Sequence, residues 1–124
     1  MKGKQKIIIS RTDSIGDVVL TLPLAGMLKS TQPGCEISFL GRSYTKDVIH
    51  ACEHINTFLD WDEIAADQDP VKIISSVGAD IIIHVFPRKE IASLAKKAGI
   101  PLRLGTTNRL YHWNTCNKLV RLSR

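Results

Sequence analysis

Lys6-Ile7-Ile8-Ile9-Ser10 leads into Arg11-Thr12-Asp13-Ser14-Ile15-Gly16-Asp17 and then Val18-Val19-Leu20-Thr21-Leu22-Pro23-Leu24. A short β-branched run gives way to a polar loop, and a glycine and an aspartate then open a helical stretch. In an open α/β sheet such a turn lies at the carboxyl end of the first strand. Loops and helix N-termini converge there, which makes it the usual place for a ligand. The same turn therefore points to a fold and to a place for chemistry.

The pattern repeats downstream. Glu36–Leu40 is a second strand after the Gln32-Pro33-Gly34 turn, Asn56–Asp60 a short third, Asp80–Phe86 a fourth and Leu102–Leu104 a fifth. The fourth is almost continuously apolar, as a parallel strand covered on both faces should be. Helices fill the gaps. Asp69 before Pro70 is an N-cap with proline at the first helical position, and Gly78 closes that helix, with Val71, Ile74 and Val77 on its buried face. Pro87 starts another with Ile91, Leu94, Ala95 and Ala98 in line, ended by Gly99, and Lys96 and Lys97 suit the negative end of its dipole. Tyr44, Val48, Cys52 and Ile55 line a third. Pro23 cannot donate to Val19, so the first helix is expected to kink or to have a short first segment. Strand–helix alternation of this kind implies parallel βαβ units.

At 124 residues the chain is one domain. Its 44% apolar and 23% charged residues are those of an ordinary globular protein, and no apolar run approaches the roughly 18 residues of a membrane span. Basic Lys2, Lys4 and Lys6 precede only three isoleucines, too short a run for a signal-peptide core. Cys35, Cys52 and Cys116 show no metal spacing and read as reduced, mostly buried thiols. The net charge of +5 is uneven: beyond Glu90 there is no acid, while Lys96, Lys97, Arg103, Arg109, Lys118, Arg121 and Arg124 follow. A field of one sign suits an anionic partner, and a solvated face is the plainer reading.

Several side chains near the turn can carry chemistry. Ser14-x-x-Asp17 has the form of a capping box, and an aspartate in a first turn stabilises the helix dipole. Backbone N–H groups of Arg11, Thr12, Asp13 and Ser14 suit a phosphate or a sugar hydroxyl, and the Arg11 guanidinium can bind two oxygens at once. One glycine is not a dinucleotide fingerprint, and Gly-Lys-Ser/Thr is absent, so NTPase and dinucleotide readings are weak. With a strand order of 3-2-1-4-5, His84 and Arg88 face the same crevice; otherwise His84 is a satisfied core histidine. Arg42 lies at the crevice rim or is a surface arginine. Tyr111, His112 and Trp113 beside the basic tail read as packing or a sugar platform rather than a nucleic-acid patch. Asp13 and Asp60 also suggest a phosphoacceptor receiver, but Gly105-Thr106-Thr107 stands where that family needs lysine.

Ser14, Ile15, Gly16, Asp17, Val18, Val19, Thr21, Pro23 and Leu24 together resemble the N-terminal motif of glycosyltransferase family 9, the ADP-heptose:lipopolysaccharide heptosyltransferases and their relatives. Arg103-Leu104-Gly105 and Tyr111-His112-Trp113-Asn114 give a weaker second similarity, so the likeness runs over most of the chain. The resemblance implies an α/β fold: a Rossmann-like parallel sheet of about five strands with helices on both faces. Residues 1–124 would form the single N-terminal, acceptor-side lobe of a GT-B enzyme, with the C-terminal donor-binding lobe absent. It makes Asp17 the general base and places Arg11, Thr12, Asp13, Ser14, Gly16, Arg42, His84 and Arg88 on the substrate side. The implied reaction transfers heptose or a related sugar from a nucleotide sugar such as ADP-heptose to a phosphorylated glycolipid acceptor of the lipopolysaccharide core. It inverts the anomeric centre and uses neither metal nor cofactor. The implied setting is the cytoplasm, with peripheral contact at the inner membrane surface left open and no nucleic-acid partner. The isolated chain would then be inactive. The rival expectation is a free-standing flavodoxin-like binding module in which Asp17 is only a cap.

Overall fold

A computed structural model describes residues 5–86, 88–106 and 118–120. Pro87 and the closing stretch that carries Arg109, Tyr111, His112, Trp113, Asn114, Cys116, Arg121 and Arg124 lie outside the described residues, as do Lys2 and Lys4. The elements run β1 (Lys6–Ser10), α1 (Ile15–Thr31), β2 (Glu36–Gly41), a 3-10 turn (Ser43–Thr45), α2 (Lys46–His50), β3 (Thr57–Asp60), α3 (Trp61–Ala66), α4 (Pro70–Val77), β4 (Ile81–His84), α5 (Lys89–Lys97), β5 (Leu102–Thr106) and β6 (Lys118–Val120). The described strands form one sheet in the order β3-β2-β1-β4-β5-β6, and every pairing is parallel. The condition of a 3-2-1-4-5 order is met, with β6 added at the edge.

Side-chain alternation along the strands divides the core into two layers. Ile8, Leu40 and Ile82 pack with Trp61, Ile64, Ile74, Ile91 and Ala95 from α3, α4 and α5. Ile7, Ile9, Ile37 and Phe39 pack on the other face with Val18 and Ala25 of α1 and Ile49 of α2. Burial on both faces explains why Ile7, Ile8 and Ile9 need no polar interruption.

Helix ends follow the expected chemistry where a side chain supplies the cap. Asp69 accepts from Lys72 N–H at 3.1 Å, Pro70 occupies the first turn, and Gly78 closes α4 at φ 69°, a left-handed conformation that a side chain would strain. Two expectations are corrected. α1 has no short first segment: it runs from Ile15 to Thr31 through Pro23, with Val18, Thr21 and Ala25 buried on both sides of the missing hydrogen bond. The segment after β2 buries Thr45 and Ile49, while Tyr44 is 59% exposed and Val48 only half-buried. There the chain starts as a 3-10 turn, whose tighter winding shifts the buried face off the spacing of Tyr44 and Val48. β4 is also shorter than its apolar run, since the Val85 and Phe86 N–H groups both turn back to Ser10 C=O, at 3.0 and 3.2 Å. On the solvent side of α1, Ile15, Val19, Leu20 and Met27 are exposed.

Candidate functional site at the carboxyl ends of β1 and β4

The chain passes outward from β1 through β2 to β3, then returns across the sheet to β4, so strand order reverses between β1 and β4. Their adjacent carboxyl ends are the switch point where an open α/β sheet leaves a crevice. Ser10 and His84 are register partners there and both are buried. By alternation with Ile8 and Ile82, their side chains belong to the face covered by α3, α4 and α5. The Arg11–Ser14 loop follows β1 at this end of the sheet.

Three neighbouring segments hold this loop. Arg11 N–H donates to Leu40 C=O at 3.1 Å, tying it to β2. Arg88, the N-cap residue of α5, donates from Nε to Thr12 Oγ1 at 2.7 Å and from Nη2 to Thr12 C=O at 3.4 Å. Its guanidinium also lies over the Phe86 ring, 5.7 Å from the centroid. The Tyr44 hydroxyl donates to Asp13 C=O at 2.8 Å. Thr12 is buried, so the loop is a fixed platform rather than a solvated turn.

On that platform Arg11, Asp13 and Asp17 form a charged trio. Arg11 Nη2 donates to Asp13 Oδ2 at 3.0 Å, and Nε lies 3.0 Å from Oδ1 but poorly aligned for a hydrogen bond. The same Nη2 is 3.4 Å from Asp17 Oδ1. Ser14 is the N-cap of α1: its hydroxyl donates to Asp17 Oδ2 at 2.8 Å and accepts, at a long 3.4 Å, from Asp17 N–H. The capping geometry expected from Ser14-x-x-Asp17 is therefore present, but the Asp17 carboxylate bonds the hydroxyl and not the N-cap backbone. The Asp17 side chain is 44% exposed against 17% for Asp13. The Ser14 hydroxyl, then Asp13 and Arg11, hold the Asp17 carboxyl below the usual carboxylate range. Burial above all, then the contact with Asp17, pushes the Asp13 carboxyl up against the pull of Arg11.

Gly16, beside Asp17, has no need to be glycine among the described residues: a Cβ built there meets none of their atoms within 4 Å beyond its own helix turn. Arg42 pairs with Asp62, Nε to Oδ1 at 2.7 Å, and the Ser43 N–H bonds the other oxygen at 2.8 Å. The β2 loop thus reaches the trio through Tyr44 rather than Arg42. Tyr44 escaped the sequence reading because its spacing with apolar neighbours looked like a core line. Among the described residues no three His, Cys, Asp or Glu side chains cluster to hold a metal ion, and no helix is long and apolar enough to cross a membrane.

No family model matches the chain. The fold is that of glycosyltransferase family 9 structures. A family 9 glycosyl transferase from Veillonella parvula superposes with a TM-score of 0.79 at 20% identity, covering 99% of this chain and 38% of that one. An E. coli ADP-heptose lps heptosyltransferase II also gives 0.79, at 18% identity over 96% of this chain and 35% of that one. In sequence, the chain is 28% identical over 103 residues to a "putative glycosyltransferase" of Haemophilus influenzae, covering 81% of this chain and 30% of the relative. The resemblance carried by the first turn is thus met again in a curated homologue and in the fold, and the chain spans about a third of these proteins' length.

Proposed function

We propose that this chain is the acceptor-side lobe of a family 9 glycosyltransferase, and that Asp17 is its general base. The observation that carries the reading is a half-exposed carboxylate in the first turn of α1 at the β1/β4 switch point, beside a loop held by three neighbouring segments. In the reaction, an acceptor hydroxyl attacks the anomeric carbon of a nucleotide sugar such as ADP-heptose. Asp17 takes the hydroxyl proton as the new glycosidic bond forms, and the nucleoside diphosphate leaves with the bonding pair from the opposite face, inverting the centre. Arg11 carries the positive charge that an acceptor phosphate would seek, and the Thr12–Ser14 backbone and the open surface at Gly16 complete the acceptor side. The acceptor in this reading is a phosphorylated glycolipid of the lipopolysaccharide-core type, and a facing lobe holds the donor. No metal ion takes part. The protein works in the cytoplasm, at the inner face of the membrane where such an acceptor is presented.

Asp17 also sits at the third position of α1 with Ser14 as its cap, which favours the rival reading of a binding module. Asp17→Asn separates the two. In the natural gene product, loss of a base lowers kcat by about 10²–10⁴-fold with folding intact. Unchanged turnover with a lowered melting temperature would leave Asp17 a cap.

A further inference from the structure

Arg11 stands between two carboxylates and is unequally shared. Its Nε–Nη2 edge faces Asp13, with Nη2 donating to Oδ2 at 3.0 Å and Nε in ion-pair contact with Oδ1 at 3.0 Å, while Asp17 receives only Nη2, at 3.4 Å. A guanidinium closes most strongly side-on, with two N–H groups on one carboxylate. The backbone is fixed by Leu40, Arg88 and Tyr44, so a change in side-chain pairing need not move the loop. Ser14 occupies Asp17 Oδ2, which makes Oδ1 the oxygen left for a substrate proton.

We propose that Asp13 is a positioning residue for Asp17: by taking the Nε–Nη2 edge of Arg11, it keeps the guanidinium from closing side-on over Asp17 and leaves Oδ1 open to an acceptor hydroxyl. This deepens the reading of Asp17 as the base and rests on it. Among the described residues, the groups facing Asp17 are Arg11, Asp13 and Ser14. Arg88 and Tyr44 act one step away, on Thr12 and on the Asp13 carbonyl. Without Asp13, Arg11 has one strong partner left, and the side-on pair both covers Oδ1 and weakens it as a base. With Asp13 in place, an acceptor phosphate draws Arg11 from a carboxylate already burdened by burial.

A ¹³C-carboxyl NMR titration of the chain tests this without requiring turnover. The Asp17 midpoint is read in the native protein, Asp13→Asn, Arg11→Gln and the double variant, with amide spectra confirming the fold. The direct Asp13 contact, which itself lowers the Asp17 midpoint, is lost in both backgrounds, so closure of Arg11 is read as a difference: Asp13→Asn is expected to move the Asp17 midpoint about 0.5 or more further downward with Arg11 present than with Gln at position 11. An equal change in both backgrounds would show that Asp13 acts by its direct contact alone and would overturn the proposal. Asp13→Glu is the second variant. It keeps the charge and displaces the carboxylate, so a lowered Asp17 midpoint supports positioning and an unchanged one opposes it. If the coupling is found while Asp17→Asn leaves transfer unchanged, the placement of Arg11 stands and the base assignment is what fails.

Discussion

Asp17 satisfies two demands that compete. As the third residue of α1 it stabilises the helix start, and the Ser14 hydroxyl that helps to cap the helix also keeps the carboxylate ionised. Ser14→Ala should therefore cost about 1 kcal/mol of stability and raise the Asp17 midpoint, both readable by denaturant melts and carboxyl titration. Gly16 separates fold from function more sharply. With nothing among the described residues within 4 Å of its absent Cβ, Gly16→Ala should gain roughly 0.5–1 kcal/mol in stability and yet lower kcat/KM for transfer. Equal kcat/KM in the two proteins would mean that no substrate approaches there. Much of this constellation was legible in the sequence because Arg11 through Asp17 are contiguous. Tyr44, which reaches the loop from beyond β2, could not be read, since its role depends on a 3-10 turn that rotates it out of the expected buried line. The Arg42–Asp62 pair was equally hidden, because it joins residues on either side of β3.

Elements with side-chain caps and strong periodicity were the readable ones. α4 begins at Asp69-Pro70 and ends at Gly78 because each residue's backbone preference agrees with its place. Gly78→Ala should cost about 1 kcal/mol or more, measurable as a shift of the denaturant midpoint; no change would mean that the φ of 69° relaxes freely. The misread elements are those where tertiary packing overrode a local signal. Pro23 did not break α1, and the α2 segment follows the burial of Thr45 and Ile49 rather than the spacing of its apolar residues. The 3-10 turn and α3 are joined electrostatically through Asp62, whose carboxyl is held below the usual range chiefly by the Ser43 N–H, against slight desolvation, with Arg42 helping. A depressed folded value means that this group stabilises the fold above about pH 4 and that the contribution fades as pH falls through the lower folded value. Asp62→Asn should accordingly flatten the acid limb of the stability–pH profile, and a limb of unchanged slope would remove Asp62 from the account.

At the scale of the molecule, the doubly wound order places one loop cluster at the β1/β4 crevice; α/β alternation pointed to parallel βαβ units, while the order itself entered only as a condition. The added strand β6 was not anticipated, because its few residues sit in a polar and aromatic stretch without a strand signal. The chain spans 30% of its curated relative and 38% of the Veillonella structure, and the reaction proposed for it calls for a donor-binding lobe facing this one. The most direct test of the central claim is transfer of labelled heptose from ADP-heptose to a lipopolysaccharide-core acceptor by the natural gene product, with Asp17 and with Asn at that position. The account predicts transfer by the native protein and a loss of about 10²–10⁴-fold in kcat for the variant, with an unchanged fold. Equal turnover by the two would contradict it.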